Sequence, residues 1–392
     1  MRGIALPVYV PSFFSAIAQN AVQILLPLYA LEIGGGAALA AAVVGLRGAG
    51  TMLGDVPAGM LVTRIGDRGV MIAGLLAVTF ATVAAALATE ATLLSFAALG
   101  FGAGVGVWLL ARMSFITDTV RLEQRGRVIS VMAGLQRAGA LVGPLIAGIG
   151  AEALGYRTVF AAAAVLFAVS LVLVLIFASP APRLPHTAGH VRLAQVVSTH
   201  RHTFTTAGSV MVILMFLRAG RLLMIPLVGA TIGLSAAEIG IVFSLSAAVD
   251  MVMFYPAGLI LDHLGRRWAL APAMLLLGAG LALLPFADGF WGFAAAGVLA
   301  GLGNGFGTGI FMTLGGDLSP ERGRGEFLGV WRLVGDLGAA VGPFIMGSVA
   351  QWASLAVACA GSGAMALVGV ALLVATVPET LHRRATMERA PP

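Results

Sequence analysis

Apolar residues along this chain come in long unbroken runs, and the polar residues collect in short stretches between them. A helix needs about 20 mostly apolar residues to cross a bilayer. Windows of that length predict twelve spans, at roughly 5–31, 38–62, 69–88, 92–116, 127–150, 157–179, 206–232, 237–261, 268–287, 290–314, 326–350 and 354–377. Backbone groups in hydrocarbon must be bonded locally, so the spans are expected to be helices packed as a bundle. The first run, Ile4 to Ile33, is too long for the apolar part of a cleavable signal and leads straight into the next span.

Composition points the same way. Hydrophobic residues make up 59% of the 392 and charged residues 10%, with a mean hydropathy of +0.99, whereas a soluble domain carries about 25% charge. The single cysteine, Cys359, excludes an internal disulfide framework and a thiolate metal cluster, and its apolar surroundings assign it to packing. All 23 basic residues are arginine. With the N-terminus inside, Arg2, Arg64, Arg68, Arg121, Arg125, Arg127, Arg183, Arg192, Arg201, Arg266, Arg267, Arg322, Arg324, Arg383, Arg384 and Arg389 fall in cytoplasmic segments, against Arg157 alone outside. The positive-inside rule therefore places both termini in the cytoplasm. The one long connection, 180–205, holds His186, His190, His200 and His202 with three arginines and no acid. It is expected to be a basic linker on anionic headgroups rather than a metal or pH sensor.

Self-comparison adds a duplication. At a constant offset of 199 residues, Pro57-Ala58-Gly59 meets Pro256-Ala257-Gly258, Gly66 meets Gly265, Arg68 meets Arg267 and Asp118 meets Asp317. Gly139, Gly143-Pro144 and Gly148 likewise meet Gly338, Gly342-Pro343 and Gly347. The chain thus divides into a six-helix half at 1–179, the linker 180–205, and a second half at 206–392. Parallel repeats of this kind are related by an axis along the membrane normal and place a substrate site between the halves.

These features resemble the major facilitator superfamily along the whole chain. Gly258-Leu-Ile-Leu-Asp262-His-Leu-Gly265-Arg266-Arg267 is similar to that family's G-x-L-x-D-R-x-G-R-R signature. Its first-half counterpart departs from it, with Thr63 at the family's acidic position and Asp67 at a basic one. In the family that acid caps the cytoplasmic end of the eleventh helix, so Thr63 removes one part of the gate. The resemblance leaves Arg68 to pair with Asp118 and Arg267 with Asp317, beside Asp262. Gly139-x-x-x-Gly143-Pro144-x-x-Ala147-Gly148 resembles the antiporter signature of the twelve-helix drug:proton exporters, though it recurs in the eleventh span. The arginine that precedes the fourth-helix glycines in those exporters is missing here, and Arg112 follows the glycines instead. The implied fold is an all-α membrane protein of two pseudo-symmetric six-helix bundles, and the implied activity is transport by alternating access.

Ionisable groups inside spans are costly and mark function by default. They are Arg47, Asp55, Arg112, Arg137, Arg218, Arg221, Asp250, Arg332 and Asp336, while every histidine lies in a cytoplasmic segment. From the cytoplasmic ends, Asp55 and Arg332 both lie roughly 10 Å deep, and Arg137 and Asp250 roughly 16 Å. In the family fold these helices are neighbours, so Asp55–Arg332 and Arg137–Asp250 are expected as gating pairs. Six arginines face three aspartates, which leaves Arg47, Arg218 and Arg221 as surplus positive charge for an anionic or zwitterionic amphiphile. Gln19, Asn20 and Gln23 add neutral hydrogen-bonding groups, Asn304 bonds either backbone or ligand, and Trp331 with Phe254 and Tyr255 is expected to supply apolar walls. Asp250 and Asp336 are the expected proton-coupling carboxylates.

The function expected from these residues is export driven by the proton gradient, without a cofactor, by a monomer in a bacterial cytoplasmic membrane. Its partners are then lipid and a small molecule, with no nucleic acid. Alternatives are a lipid or lysolipid flippase and a facilitator or importer of a metabolite anion. No nucleophile–base pair or metal cluster supports an enzyme, and a two-fold duplication gives a cleft rather than the ring of a channel.

Overall fold

The computed structural model describes residues 5–179, 193–321 and 323–381. Arg2, Arg183, Arg192, Arg322, Arg383, Arg384 and Arg389 of the cytoplasmic arginines, and His186 and His190 of the linker, lie outside the described residues. Twelve helices are long and apolar enough to cross a membrane. They are α1 (Val10–Glu32), α2 (36–65), α3 (67–87), α4 (Ala91–Thr119), α5 (Leu122–Leu154) and α6 (Tyr156–Phe177). The second six are α7 (Ala207–Thr231), α8 (Ala236–His263), α9 (Arg266–Leu283), α10 (Gly289–Phe306, resuming at Ile310–Leu318), α11 (Arg324–Trp352) and α12 (Leu355–Thr376). Two short helices, Leu193–Thr199 and Arg201–Thr205, belong to the linker.

The duplication is visible in the backbone. α6 and α12 begin and end 199 residues apart, at Tyr156–Phe177 and Leu355–Thr376. Gly66 (φ 79°) separates α2 from α3, and its repeat mate Gly265 (φ 110°) separates α8 from α9. Only glycine takes such φ values without strain, which is why this sharp reversal sits at the same place in both halves.

The described residues group into two compact units, one comprising 5–179 with 225–244 and the other 193–224 with 245–321 and 323–381. In the first, α4 packs on α2 and α3, with Gly102 against the Arg47 carbonyl and Gly104 against Val78. In the second, α10 packs the same way, with Gly301 against Ser246 of α8 and Gly303 against Leu277 of α9. The glycine motif of α5 has an equally plain use. A Cβ at Gly139 would lie 2.5 Å from the Ala16 Cβ of α1, and one at Gly338 of α11 would collide with the Val212 carbonyl oxygen of α7. The motif that resembles an antiporter signature therefore sets backbone-to-backbone contact in each half.

Large aromatics close each core: Phe101, Trp108, Phe160 and Phe167 in the first unit, and Phe293, Phe327 and Trp331 in the second, all at most 1% exposed. By contrast Trp268, Trp291 and Trp352 are 67%, 79% and 89% exposed and stand at helix ends, the position of an interfacial aromatic belt. Cys359 is fully buried with its Sγ 3.8 Å from the Met224 sulfur, in keeping with a packing role.

Candidate functional site

The polar cluster of the second unit is built from three helices. Arg218 and Arg221 are three residues apart on α7 and so share a face. Ser246 and Asp250, four residues apart, also share a face of α8, while Asn304 lies on α10 and Thr308 just past the end of its first segment. α10 is interrupted at this level: its first segment ends at Phe306, Gly309 takes a left-handed φ of 80°, and a second segment starts at Ile310. The interruption frees the Asn304 carbonyl, which accepts hydrogen bonds from Arg218 Nη2 (3.2 Å) and Thr308 Oγ1 (3.2 Å). Asn304 Nδ2 donates to Asp250 Oδ2 (2.6 Å), Thr308 Oγ1 lies 3.3 Å from Asp250 Oδ1, and Arg221 Nη1 donates to Ser246 Oγ (2.8 Å). Asp250 thus lies within electrostatic range of both guanidiniums. Among the described residues it forms a direct ion pair with neither. The Nε atoms of Arg218 and Arg221 are buried without a hydrogen-bond partner. For Arg221 this leaves open the fork edge that grips a carboxylate or phosphate with two parallel bonds.

Ser246, Thr308 and the interruption of α10 were not singled out from the sequence. The duplication carried a signal for them. Shifted by 199 residues, Arg218, Ser246 and Asp250 fall on Gln19, Arg47 and Thr51, so the halves diverge in charge where the rest of the repeat is retained.

In the first unit, Gln136 Nε2 donates to Gln19 Oε1 (3.3 Å) and Asn20 Nδ2 to the Ala16 carbonyl (2.8 Å). Gln23 on α1 and Arg47 on α2 are half-buried. Arg112 is 8% exposed, with its guanidinium 5.5 Å above the Trp108 ring and its Nη1 buried without a hydrogen-bond partner. The Trp108 indole N–H donates to Ser15 Oγ (3.2 Å). Desolvated, this cation–π contact contributes about 2 kcal/mol.

Trp331 departs from expectation. Its indole N–H donates to the Phe311 carbonyl (2.9 Å), its ring stacks on Phe327 (6.3 Å), and it is 1% exposed. It is a core side chain of the second unit and presents no wall to a ligand. Phe254 and Tyr255 are 46% and 72% exposed.

The expected gating groups divide between the units. Asp55 of the first unit sits beside Gly106, where an added Cβ would lie 2.9 Å from its Oδ1. Arg137 Nη1 reaches the Ala133 carbonyl at 3.5 Å. In the second unit Arg332 pairs with Asp336 along α11 at 3.8 Å, so the proton-coupling carboxylate expected there lies beside the arginine one turn before it.

Two further pairings are redrawn. Arg68 gives its Nη2 to the Leu175 carbonyl at the end of α6 (2.7 Å), and among the described residues it makes no ion pair with Asp118. Its mate Arg267 gives its Nε to the Val377 carbonyl just past the end of α12 (2.6 Å). Both repeats therefore use this arginine to satisfy carbonyls left over at the end of their last helix. The guanidinium bonded to Asp317 is that of Arg266, at 2.7 Å with both side chains 5% exposed. Consecutive helical residues point about 100° apart, so only one of the two arginines at the start of α9 faces α10. Asp262 is exposed near the end of α8.

Two residues that sequence reasoning passed over complete this cytoplasmic network. Thr380 Oγ1 donates to Asp317 Oδ2 (2.8 Å). Glu379 accepts the backbone N–H groups of Arg266 (2.9 Å), Arg267 (3.1 Å) and Leu381 (3.1 Å). Burial raises the Glu379 carboxyl, but the backbone donors of Arg266, Arg267, Leu381 and Thr380 together outweigh it and hold it below the ordinary carboxylate value. Two of those donors belong to the first turn of α9, so the carboxylate also meets the positive end of a helix.

The Major Facilitator Superfamily profile matches residues 9–219 and again 207–391. The multidrug resistance protein MdtH of Escherichia coli is 25% identical over 293 residues, which cover 72% of this chain and 70% of that protein. The MFS-type transporter ppzB of Metarhizium rileyi is 33% identical over 119 residues, 30% of this chain. That match spans only 25% of the Metarhizium protein's length. Among solved structures, a POT family transporter in complex with a thioalcohol-conjugated peptide superposes with a TM-score of 0.78 over 95% of this chain and 96% of its own, at 14% identity. A mutant of the nucleoside transporter NupG superposes with a TM-score of 0.79 over 96% of this chain and 100% of its own, at 13% identity.

Proposed function

The chain belongs to the major facilitator superfamily and is a transporter, and on that premise we propose that it carries an anionic or zwitterionic amphiphile by alternating access, holding the anionic group at Arg218 and Arg221. One observation carries this reading: two guanidiniums share one helix face with buried, unbonded Nε atoms, and Asp250, the carboxylate near them among the described residues, is bonded to other groups. A buried donor left unsatisfied costs about 1–3 kcal/mol. A ligand carboxylate or phosphate relieves that cost, whereas a cation meets net positive charge. The site uses no cofactor. Its energy source is the proton gradient, and Asp250 is the carboxylate that binds the proton. The surplus of arginine in one set of loops supports a bacterial cytoplasmic membrane with both termini inside.

Two directions of transport have separate support. The similarity to MdtH, a multidrug resistance protein, favours export in exchange for protons. The placement of Asp250 beside the anion-binding arginines favours the second reading, uptake of an anion.

The test is uptake into proteoliposomes of matched anionic and cationic fluorescent amphiphiles, by the wild type and by Arg221→Gln. Uptake of the anion alone, reduced at least about tenfold in the variant, is the expected outcome. Equal uptake of the cation, unaffected by the variant, would sink the anion reading.

A further inference from the structure

We infer that the cavity where α9 joins α10 binds a phospholipid with a primary ammonium headgroup, its acyl chain in the cavity and its ammonium on Asp288. This site is separate from the anion site above and does not depend on it.

The two halves of the repeat build this join differently. In the first half the turn between α3 and α4 is tied down. Arg157 donates from Nε to the Ala86 carbonyl (2.9 Å) and from Nη2 to the Leu87 carbonyl (3.3 Å), and the Tyr29 hydroxyl donates to the Ala88 carbonyl. Shifted by 199 residues, Arg157 and Tyr29 fall on Ala356 and Val228, whose side chains make no such bonds. The same shift carries Leu93 and Phe96 onto Gly292 and Ala295. In the second unit Gly292 and Ala295 line a cavity of about 530 Å³ together with Leu283, Phe286, Asp288 and Leu299. The missing side chains leave the room, and the volume lies within the ~300–1,000 Å³ of pockets that take a small organic group.

Surroundings and charge select the occupant. Phe286 and Trp291 beside the cavity are 73% and 79% exposed and stand at the helix ends of a chain that crosses the bilayer, where the apolar neighbour at hand is lipid. Asp288 is the one charged residue of the lining. It holds the N-cap position of α10, where an aspartate ordinarily accepts a helix N–H, yet its side chain makes no such bond. Among the described residues it has no hydrogen bond or ion pair at all. The helices around it supply no cation. α10 and α12, which packs on this turn, contain no basic residue. Those of α9, Arg266 and Arg267, sit at its far end on Asp317 and the Val377 carbonyl. An unpaired carboxylate over an apolar slot complements a lipid whose head carries an ammonium. A phosphatidylglycerol, with the same phosphate and no ammonium, brings net negative charge against it.

The experiment uses the full chain in nanodiscs of phosphatidylcholine, with Trp268→Phe and Trp352→Phe so that Trp291 is the exposed indole that remains; Trp108 and Trp331 are 1% exposed. Phosphatidylethanolamine or phosphatidylglycerol brominated on the acyl chain is added in rising fraction, and quenching of Trp291 gives the relative affinity of each at this site. The expected result is a preference of about two- to fivefold for phosphatidylethanolamine, the range of an exposed ion pair, shrinking as salt is raised. Asp288→Asn is expected to abolish the preference. Ala295→Phe, which restores the side chain of the first half, is expected to weaken quenching by both lipids. Equal affinities, or a preference for phosphatidylglycerol, overturn the proposal. So does a preference that survives Asp288→Asn or high salt, and quenching unchanged in Ala295→Phe removes the acyl chain from the cavity. The salt dependence needs no variant of Asp288 or Ala295, so the test stands even if one fails to fold.

Discussion

Replacing Glu379 by glutamine tests the network at the start of α9 with nearly no change of shape. Oε1 of Glu379 accepts from the Arg266 and Leu381 backbone N–H groups, and Oε2 accepts from Arg267. In Glu379→Gln the amide oxygen retains the first two bonds, while the amide nitrogen faces the Arg267 N–H as donor against donor. One orphaned donor costs about 1–3 kcal/mol, and loss of the charge at the helix N-terminus adds about 0.3–1 kcal/mol. Glu379 is only half-buried, so solvent recovers part of both, and the expected loss is about 1–2 kcal/mol. Cys359 supplies the assay. It is the one cysteine and is fully buried, so a thiol-reactive fluorophore reports unfolding of the second half directly. At about 2–4 °C per kcal/mol for domains of 150–250 residues, the midpoint is expected to fall by about 2–4 °C in this longer chain.

The pH dependence gives a second check with a definite sign. The folded-state carboxyl of Glu379 is held below its ordinary value, so its contribution is fully present above the unfolded-state value, about 4.3. It is lost as pH falls through the lower folded-state value. The gap between wild type and Glu379→Gln should therefore be constant near neutrality and close only below about pH 4. Equal midpoints at neutral pH, or a gap that persists unchanged in acid, would refute the role given to these hydrogen bonds.

Asp317→Asn is expected to be much more damaging, by about 3–5 kcal/mol, because it leaves Arg266 buried without its countercharge; Thr380→Val, which removes one neutral donor to the same carboxylate, should cost about 1 kcal/mol by the same thiol assay. Gly338→Ala forces a methyl into the Val212 carbonyl oxygen and should cost about 1–3 kcal/mol, lowering the yield of monodisperse protein on size exclusion, whereas Gly329→Ala, where nothing lies within 4 Å, should leave it unchanged.

Much of the fold could be read from the chain before any coordinate. The twelve apolar runs become twelve helices, because lipid selects for length and hydrophobicity, which are properties of local sequence. The 199-residue offset forecast matched elements, and the ends of α6 and α12 agree with it residue for residue. What was not legible was the contact made by each polar side chain. Trp331 read as a wall and is core; Arg267 read as the partner of Asp317, and the bond is made by Arg266. The span expected at 290–314 is interrupted near Gly309, and that interruption exposes the Asn304 carbonyl to Arg218. Glu379 and Thr380, beyond the last apolar run, carried no signal as candidates at all.

The sequence by itself determined how many helices cross the membrane, that they arose by duplication, and that positive charge is in surplus inside them. Tertiary structure alone decided which cation meets which anion. A run of apolar residues is recognised by the bilayer whatever its rotation, but one residue along a helix turns a side chain by about 100°. Pairing therefore depends on the angle and depth at which neighbouring helices pack, set here by glycine contacts such as Gly338 on Val212 that join helices far apart in the sequence.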